Sequence, residues 1–248
     1  MKRVLKGSKI DINGLAELID KSGYTVIVLG DKFAEDLGYT VPSPYHTGLW
    51  RKLGKYLTLK GFTADPEGAW GFYKGLYEKA IELDNNNTYK SIIEMIKRGL
   101  VQAVITTSID GVLSRFKSLN IIELSGNIRR AKCMKGNHFF DTEKVIKEKM
   151  YRCPDDGDPI RPDIVFYDEE VSEREWIRAV VEISAAELVI VAGLDPVLAP
   201  YNMLPLVASI FKRKLVVVDT STWGVTEIAD AVLPRSPSSI WRELLKIL

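Results

Sequence analysis

The chain has 248 residues, of which 46% are hydrophobic and 27% charged, enough to bury one large core with or without a small insert. Its 34 basic and 33 acidic residues give a formal net charge of +1, so the overall charge gives no reason to expect a nucleic acid or a membrane as partner. No apolar run approaches the roughly 20 residues that span a bilayer, and MKRVLKGSKIDINGL lacks the apolar segment of a signal peptide. We therefore expect a soluble, cytoplasmic protein, and the abundance of Lys, Glu and Ile favours a thermophilic source.

Helical and strand patterns alternate along most of the chain. Apolar residues at helical spacing predict a first helix over 11–22. The β-branched run TVIVLG predicts a strand over 25–30, and a long loop follows over 31–48, in which DKFAEDLG favours one helical turn. Further helices are predicted over 66–83, 88–98, 172–185, 201–213 and 238–248. Further strands are predicted over 100–107, 120–124, 163–167, 187–193, 214–221 and the end of 227–233.

The strands are continuous apolar runs rather than alternating ones, which is typical of a parallel sheet covered by helices on both faces. The sequence therefore predicts an α/β fold with a Rossmann-like, doubly wound parallel sheet. Residues 131–160 break the pattern, because they are charged, rich in turn residues and hold both cysteines. We predict a large domain over 1–130 and 161–248 and a small inserted module over 131–160.

Ligands in such folds bind at the carboxyl ends of the strands. Ser125 stands at one such end, but a nucleophilic serine needs a base within hydrogen-bond reach. The chain has two histidines, His46 and His138, and nothing in the sequence brings either beside Ser125, so the residues favour a turn serine. The other strand-end candidates are Gly30 and Asp31, Thr107 to Asp110, Gly193 to Asp195, and Asp219.

Several of these candidates allow two interpretations. The loop GDKFAEDLG has only two well-separated glycines with acidic residues between them, which disfavours a pyrophosphate and favours an ordinary strand-to-helix loop. Asp219 fits either a contact to a ribose hydroxyl or a cap of the following turn. Asp110 fits either a ligand contact or an Asp-Gly turn.

Two cysteines, Cys133 and Cys153, do not make the disulfide framework of a small secreted protein. Each resembles half of a Cys-x-x-Cys pair, whereas structural zinc needs four ligands. A mixed set with His138 and Asp156 is chemically allowed. Two buried free thiols, or a disulfide, are the interpretations that the residues favour.

The order of several segments resembles that of the sirtuins, the NAD-dependent protein lysine deacylases. RGLVQAVITTSIDG is similar to the family's segment ending T-Q-N-I-D-G, and NIIELSGNIRRAKC resembles its E-L-H-G segment. The family's first zinc cysteine stands eight residues after that histidine, and here Cys133 stands eight residues after Ser125. Four more segments resemble the family in the same order, namely AELIDKSGYTVIVLG, RPDIVFYDEE, ELVIVAGLDPVLAP and KLVVVDTSTWGVTEIADAVL.

The resemblance implies a Rossmann-type domain that binds NAD, a small zinc-ribbon insert, and a cleft between them for an acyl-lysine peptide. In the family a histidine acts as general base on a ribose hydroxyl, while the acyl oxygen attacks the sugar and nicotinamide leaves. Ser125 occupies that histidine's position, and a neutral hydroxyl cannot act as the base.

Other family residues are also replaced. Thr107 and Ser108 stand for the Gln and Asn of T-Q-N-I-D, and Leu113 stands for a histidine, whereas Asp110 keeps the position that meets the nicotinamide amide. The G-A-G-I-S turn is the acidic GDKFA, and VPSPYHTGLW has no counterpart of the arginine in D-F-R-G. Gly193 is kept. The remaining differences are Leu194-Asp195 for T-S, Asp219 for the Asn of I-N, Tyr167-Asp168 for the F-G before Glu169, and two missing zinc cysteines.

These losses within an intact pattern of strands and helices indicate a retained fold with lost chemistry. We expect a sirtuin-fold protein that has lost NAD-dependent deacylation and that binds or assembles with a protein the sequence does not identify. The alternative is a divergent NAD-dependent deacylase or ADP-ribosyl transferase in which Asp110, Ser125 and Asp219 keep residual activity. A third hypothesis, a cleft for a cationic ligand, requires Asp31, Asp195 and Asp219 to line one pocket.

Binding of NAD and of zinc therefore both stay open. The zinc ligands that the resemblance implies are Cys133 and Cys153. The NAD contacts that it implies are Gly30, Ser108, Asp110, Gly193 and Asp219.

Overall fold

Strands and helices alternate in a computed structural model of the chain, which describes residues 7–44, 47–221 and 227–248. The strands are β1 (Ser8–Lys9), β2 (Thr25–Leu29), β3 (Ala103–Thr106), β4 (Ile121–Glu123), β5 (Gly126–Cys133), β6 (Phe139–Asp141), β7 (Ile160–Ile164), β8 (Leu188–Ala192), β9 (Lys214–Val218) and β10 (Ala231–Leu233). The helices are α1 (Ile12–Asp20), α2 (Asp31–Glu35), α3 (Thr47–Leu53), α4 (Leu59–Ala64), α5 (Pro66–Glu82), α6 (Asn87–Lys97), α7 (Thr142–Glu148), α8 (Glu173–Ala185), α9 (Leu204–Ile210) and α10 (Trp241–Ile247).

Seven strands form a parallel sheet in the order β1-β10-β9-β8-β2-β3-β4. Strand β2, which lies between β8 and β3, is buried along its whole length, and its side chains alternate between two hydrophobic clusters. Val26 and Val28 belong to one cluster, whereas Ile27 and Leu29 belong to the other. Helices cover both faces, so the predicted α/β fold with a Rossmann-like, doubly wound parallel sheet is confirmed.

A second, antiparallel sheet has three strands in the order β6-β5-β7. It begins at Gly126, before the module predicted over 131–160, and it includes β7, which starts at the last residue of that module and extends beyond it. Within 131–160 the chain also forms α7, whose N-terminus is capped by the Asp141 carboxylate, which accepts a 2.7 Å hydrogen bond from the Glu143 N–H. The boundaries of the two domains stay a prediction.

The strand predicted over 163–167 lies earlier, at Ile160–Ile164, and it pairs with β5. The apolar residues after Ile164 leave the ladder because Phe166 enters the core, where the guanidinium of Arg161 lies 3.9 Å from its ring centre. Pro162 obscures the strand in the sequence, because proline is uncommon inside strands.

Candidate functional site

A cavity of about 130 Å³ lies where the strands of the large sheet end. The loops after β2, β3, β4 and β8 all contribute to its wall, as expected for a doubly wound sheet. Aromatic and apolar side chains complete the wall, among them Tyr39, Phe166 and Tyr167. The strand-end residues that line the cavity are Asp31, Thr107, Ser108, Ser125 and Asp195.

Ser125 faces this cavity from the turn between β4 and β5 and is only 8% exposed. Its carbonyl accepts a 2.9 Å hydrogen bond from the Val165 N–H, which ties the turn to the chain after β7. Tyr201 lines the same cavity, and its hydroxyl lies near that of Ser125. Burial raises the pKa of Tyr201 to about 12, although the nearby Ser125 hydroxyl acts in the opposite direction, so both hydroxyls keep their protons at neutral pH.

His138, the histidine that the structure describes, is not part of the cavity wall. His138 lies in the small sheet region, where its Nδ1 is 3.2 Å from the Cys153 sulfur. His46 lies outside the described residues. Among the described residues, no imidazole therefore lines the cavity that holds Ser125.

Asp110 is 3% exposed, and both of its carboxylate oxygens accept hydrogen bonds from the protein. Oδ2 accepts from the hydroxyls of Tyr89, at 2.7 Å, and Ser108, and Oδ1 accepts from the Val112 N–H at 2.8 Å. Gly111 follows with a φ of 67°, which a glycine adopts without strain. The geometry is that of an Asp-Gly turn, and Asp110 does not line the cavity, whereas Ser108 does.

The loop after β2 lies directly against the loop after β8. A Cβ added at Gly30 would be only 2.2 Å from the Gly193 carbonyl oxygen, and that oxygen accepts a 3.1 Å hydrogen bond from the Lys32 N–H. Asp31, in the first turn of α2, accepts a 2.6 Å hydrogen bond from the Thr107 hydroxyl. A carboxylate thus occupies the helix N-terminus, where a phosphate would otherwise be attracted.

Asp219 lies in a separate, small pocket that Gly193 also lines. It is 5% exposed, accepts a 2.8 Å hydrogen bond from the Ser221 N–H, and lies 3.7 Å from the Lys32 ammonium. Asp31 and Asp195 line the main cavity without it. The hypothesis that these three carboxylates surround one cation is therefore wrong, because Lys32 and Ser221 bind Asp219 outside that cavity.

Four potential metal ligands meet beside the small sheet. Cys133 ends β5, His138 precedes β6, and a turn over 153–157 supplies Cys153 and Asp156. One ligand atom from each residue lies within 4.8 Å of the others. Hydrogen bonds hold the arrangement, since the Cys133 N–H donates to the His138 carbonyl at 2.9 Å and the Gly157 N–H donates to the Cys153 carbonyl at 2.9 Å.

This donor set fits a zinc ion. Tetrahedral ligands that are about 2.0–2.3 Å from zinc lie roughly 3.3–3.8 Å from one another. Here the Cys133 sulfur is 3.2 Å from Asp156 Oδ2, and His138 Nδ1 is 3.2 Å from the Cys153 sulfur and 3.5 Å from Asp156 Oδ2. Both cysteines are free thiols, and the backbone N–H of Asp158 lowers the pKa of Asp156, which favours its anionic form.

The parallel sheet, the cavity at its strand ends and the Cys/His/Asp cluster beside a small sheet define a sirtuin-like class of protein. The chain matches the Sir2 family over residues 43–200 and belongs to that family. It is 30% identical over 207 residues to a protein named NAD-dependent protein deacylase from Pyrococcus furiosus, covering 80% of this chain and 83% of the relative. It is 33% identical over 192 residues to an NAD-dependent protein deacetylase from Sulfurisphaera tokodaii, covering 75% and 76%.

A solved structure described as a complex of a Sir2 homologue with NAD is also similar. It superposes with a TM-score of 0.83 at 27% identity and covers 98% of this chain and 95% of its own. The relatives come from thermophiles, which agrees with the source that the composition favours. No helix among the described residues is long and apolar enough to cross a membrane.

Two residues that the structure brings into the site carry no pattern in the sequence that would select them. Tyr201 lies 76 positions from Ser125, and Lys32 lies far along the chain from Asp219. The one available signal for Lys32 is its positive charge within the otherwise acidic GDKFAED. Tyr201 could be suspected only because it follows the segment that resembles V-x-P in the family.

Proposed function

We propose that this sirtuin-family chain has lost NAD-dependent lysine deacylation and acts as a binding or assembly protein. The observation that carries the proposal is Ser125, which stands at the position of the family's base and offers a neutral hydroxyl near that of Tyr201. Neither group accepts a proton at neutral pH. Loss of a general base alone costs about 10²–10⁴ in rate.

The geometry of the loop after β2 is a reason to expect that the chain binds the cofactor weakly. The Asp31 carboxylate stands at the N-terminus of α2, and Gly193 already accepts the Lys32 N–H. A dinucleotide would have to bring its phosphates beside that carboxylate, which is unfavourable. Asp110, whose oxygens accept three protein hydrogen bonds, has little remaining capacity for the amide of nicotinamide.

Calorimetric titration with NAD and with ADP-ribose tests the cofactor part of this proposal. We expect no heat of binding up to millimolar ligand for either compound. Binding of NAD in the micromolar range would contradict it, and the Pyrococcus relative is the positive control.

The second candidate is a divergent NAD-dependent deacylase or ADP-ribosyl transferase. The names of relatives that are about 30% identical over most of the chain favour it, and they support it more directly than they support the first candidate. In this case Asp110, Ser125 and Asp219 would perform the remaining work. Release of nicotinamide from NAD, lowered by Ser125→Ala and by Asp110→Asn in folded protein, is the result that this candidate requires.

We also propose that Cys133, His138, Cys153 and Asp156 hold one structural zinc ion. The interatomic distances of the four ligands support it. Zinc would connect the end of β5 to the turn over 153–157. Elemental analysis of gently purified protein should give about one zinc per chain, and protein free of metal would contradict the proposal.

A further inference from the structure

A broad groove of about 710 Å³ lies at the edge of the large sheet. Edge strand β4, the small sheet and the N-terminal end of α8 form its walls. Only Ile164 and Val165 line both this groove and the cavity of the candidate site. The groove is therefore a separate surface of the molecule.

Positive charge dominates the groove. Three carboxylates line it, and all are in ion pairs of 3.0 Å or less: Glu123 with Arg130, Asp163 with both Arg130 and Lys132, and Glu175 with Arg178. The N-terminus of the 13-residue helix α8 adds a partial positive charge, which Glu173 and Glu175 in its first turn partly offset. Five cationic side chains line the groove, two more than the carboxylates. They are Lys117, Arg130, Lys132, Arg174 and Arg178.

The backbone of β4 offers hydrogen-bonding groups on the groove side. The Val104 N–H donates to the Asn120 carbonyl, and the Leu124 N–H donates to the Thr106 carbonyl. This parallel register leaves the Ile121 carbonyl and the Glu123 N–H directed away from β3. Neither group bonds to the backbone of another described residue, so both are free to pair with an added strand.

Two phenylalanines stand in the groove with large exposed areas. Phe139 is 62% exposed and Phe116 is 36% exposed. Neither ring is part of the buried core, so the fold itself does not require a phenylalanine at either position. Exposed aromatic rings beside unpaired strand edges are suited to contact apolar side chains of a partner.

We propose that this groove binds an extended, acidic segment of a partner protein, which adds to β4 as a further strand. Alternate side chains of such a strand point to the same face, so its acidic residues meet the cationic wall and its apolar residues meet Phe116 and Phe139. A nucleic acid fits less well, because it offers no backbone N–H and C=O to the edge of β4 and would meet Glu123 and Asp163. This proposal specifies the kind of protein that the binding function proposed above would bind, and in that respect it rests on that proposed function.

Fluorescence anisotropy with a labelled peptide of about ten alternating Glu and Val residues tests the groove. We expect saturable binding to the full chain that weakens about tenfold or more between low and high salt, because exposed charges are screened. A peptide with Lys in place of Glu, and one N-methylated at alternate residues, should bind at least about tenfold more weakly. No binding of the Glu-Val peptide, equal binding of the N-methylated peptide, or equal binding of a single-stranded oligonucleotide would each overturn the proposal.

Two matched pairs of variants locate the binding. Lys117→Glu combined with Arg174→Glu should weaken the peptide about tenfold, whereas Lys79→Glu on α5, outside the groove, should not. Phe139→Ser should weaken it several-fold, whereas Ile210→Ser, which is 66% exposed on α9, should not. Equal effects within either pair would overturn the assignment. These measurements do not depend on lysine deacylation, so their failure and that of the lost-catalysis proposal are distinguishable.

Discussion

At position 125 a serine hydroxyl faces a tyrosine hydroxyl across a cavity where relatives are named deacylases. The Ser125 carbonyl holds the turn between β4 and β5 against the chain after β7 through its bond from the Val165 N–H, but neither hydroxyl is suited to removing a proton.

Ser125→His should therefore restore little or no deacylation. The imidazole supplies a base, but Asp31 still occupies the N-terminus of α2 and Thr107 and Ser108 still replace the family's Gln and Asn. The measurement is mass spectrometry of an acetyl-lysine peptide after incubation with NAD. Strong rescue by this single change would contradict the account.

The close contact between the loops after β2 and β8 predicts that enlarging Gly30 lowers the stability of the fold. Gly30→Ala should lower the free energy of unfolding by about 1–3 kcal/mol, because the added Cβ would lie 2.2 Å from the Gly193 oxygen. Gly71→Ala is the matched control. Its Cβ meets no atom within 4 Å in the middle of α5, so we expect a gain of about 0.5–1 kcal/mol. Denaturant unfolding of both variants measures these changes. An unchanged free energy of unfolding for Gly30→Ala would show that the loops can separate.

At the scale of the elements, one ion pair holds the segment that follows β7 in place. Arg161 is 4% exposed and makes two short bonds to the Glu169 carboxylate. Burial raises the pKa of Glu169, but Arg161 and the Phe166 N–H outweigh it and hold that pKa below its ordinary value. The resulting stability is present above the ordinary glutamate pKa and is lost as the pH falls through the lowered one.

Glu169→Gln should thus lower the free energy of unfolding by about 1–3 kcal/mol at pH 7, and by much less at pH 3. Glu148→Gln, an exposed glutamate with no ion pair among the described residues, is the control and should change stability little at either pH. Chemical unfolding at both pH values is the measurement. A cost that is the same at pH 3 as at pH 7 would mean that the charge is not responsible.

The small sheet gives a prediction about metal. If zinc joins Cys133, His138, Cys153 and Asp156, then chelation should loosen β6 and the turn over 153–157 while the parallel sheet stays folded. Hydrogen exchange with and without chelator measures this. Asp156→Asn should retain less than the roughly one zinc per chain expected of the parent, whereas Asp20→Asn, at an exposed position of α1, serves as a control. Identical exchange with and without chelator would contradict a structural zinc.

Elements of the large domain were predictable because each carries its own local pattern. The run TVIVLG already indicates a strand buried on two faces, and β2 is such a strand. The sequence predicts β7 over 163–167 rather than at Ile160–Ile164, because Pro162 interrupts the strand pattern. Phe166 is apolar because it packs in the core against Arg161, not because it belongs to the sheet. Contacts such as Ser125 with Tyr201, or Lys32 with Asp219, join loops that are distant in sequence, and no spacing encodes them. The four residues of the metal cluster could be named from the sequence, but their mutual distances could not.

The whole molecule combines a sirtuin fold with a site whose own side chains satisfy one another. Asp110 bonds to Tyr89 and Ser108, and Asp219 pairs with Lys32. Under the proposed function, such internal pairing leaves fewer groups for a cofactor to bind. The edge of β4, by contrast, keeps backbone groups and cationic side chains directed outward, so the binding role is assigned to that edge.

The most direct test of lost catalysis is deacylation itself. Pure protein at high concentration should be incubated with NAD and an acetyl-lysine peptide, with the Pyrococcus furiosus relative as positive control, and the peptide and nicotinamide followed by mass spectrometry. We predict no deacetylated peptide and no nicotinamide above the level without protein. NAD-dependent deacetylation over many turnovers would contradict the account and establish the second candidate.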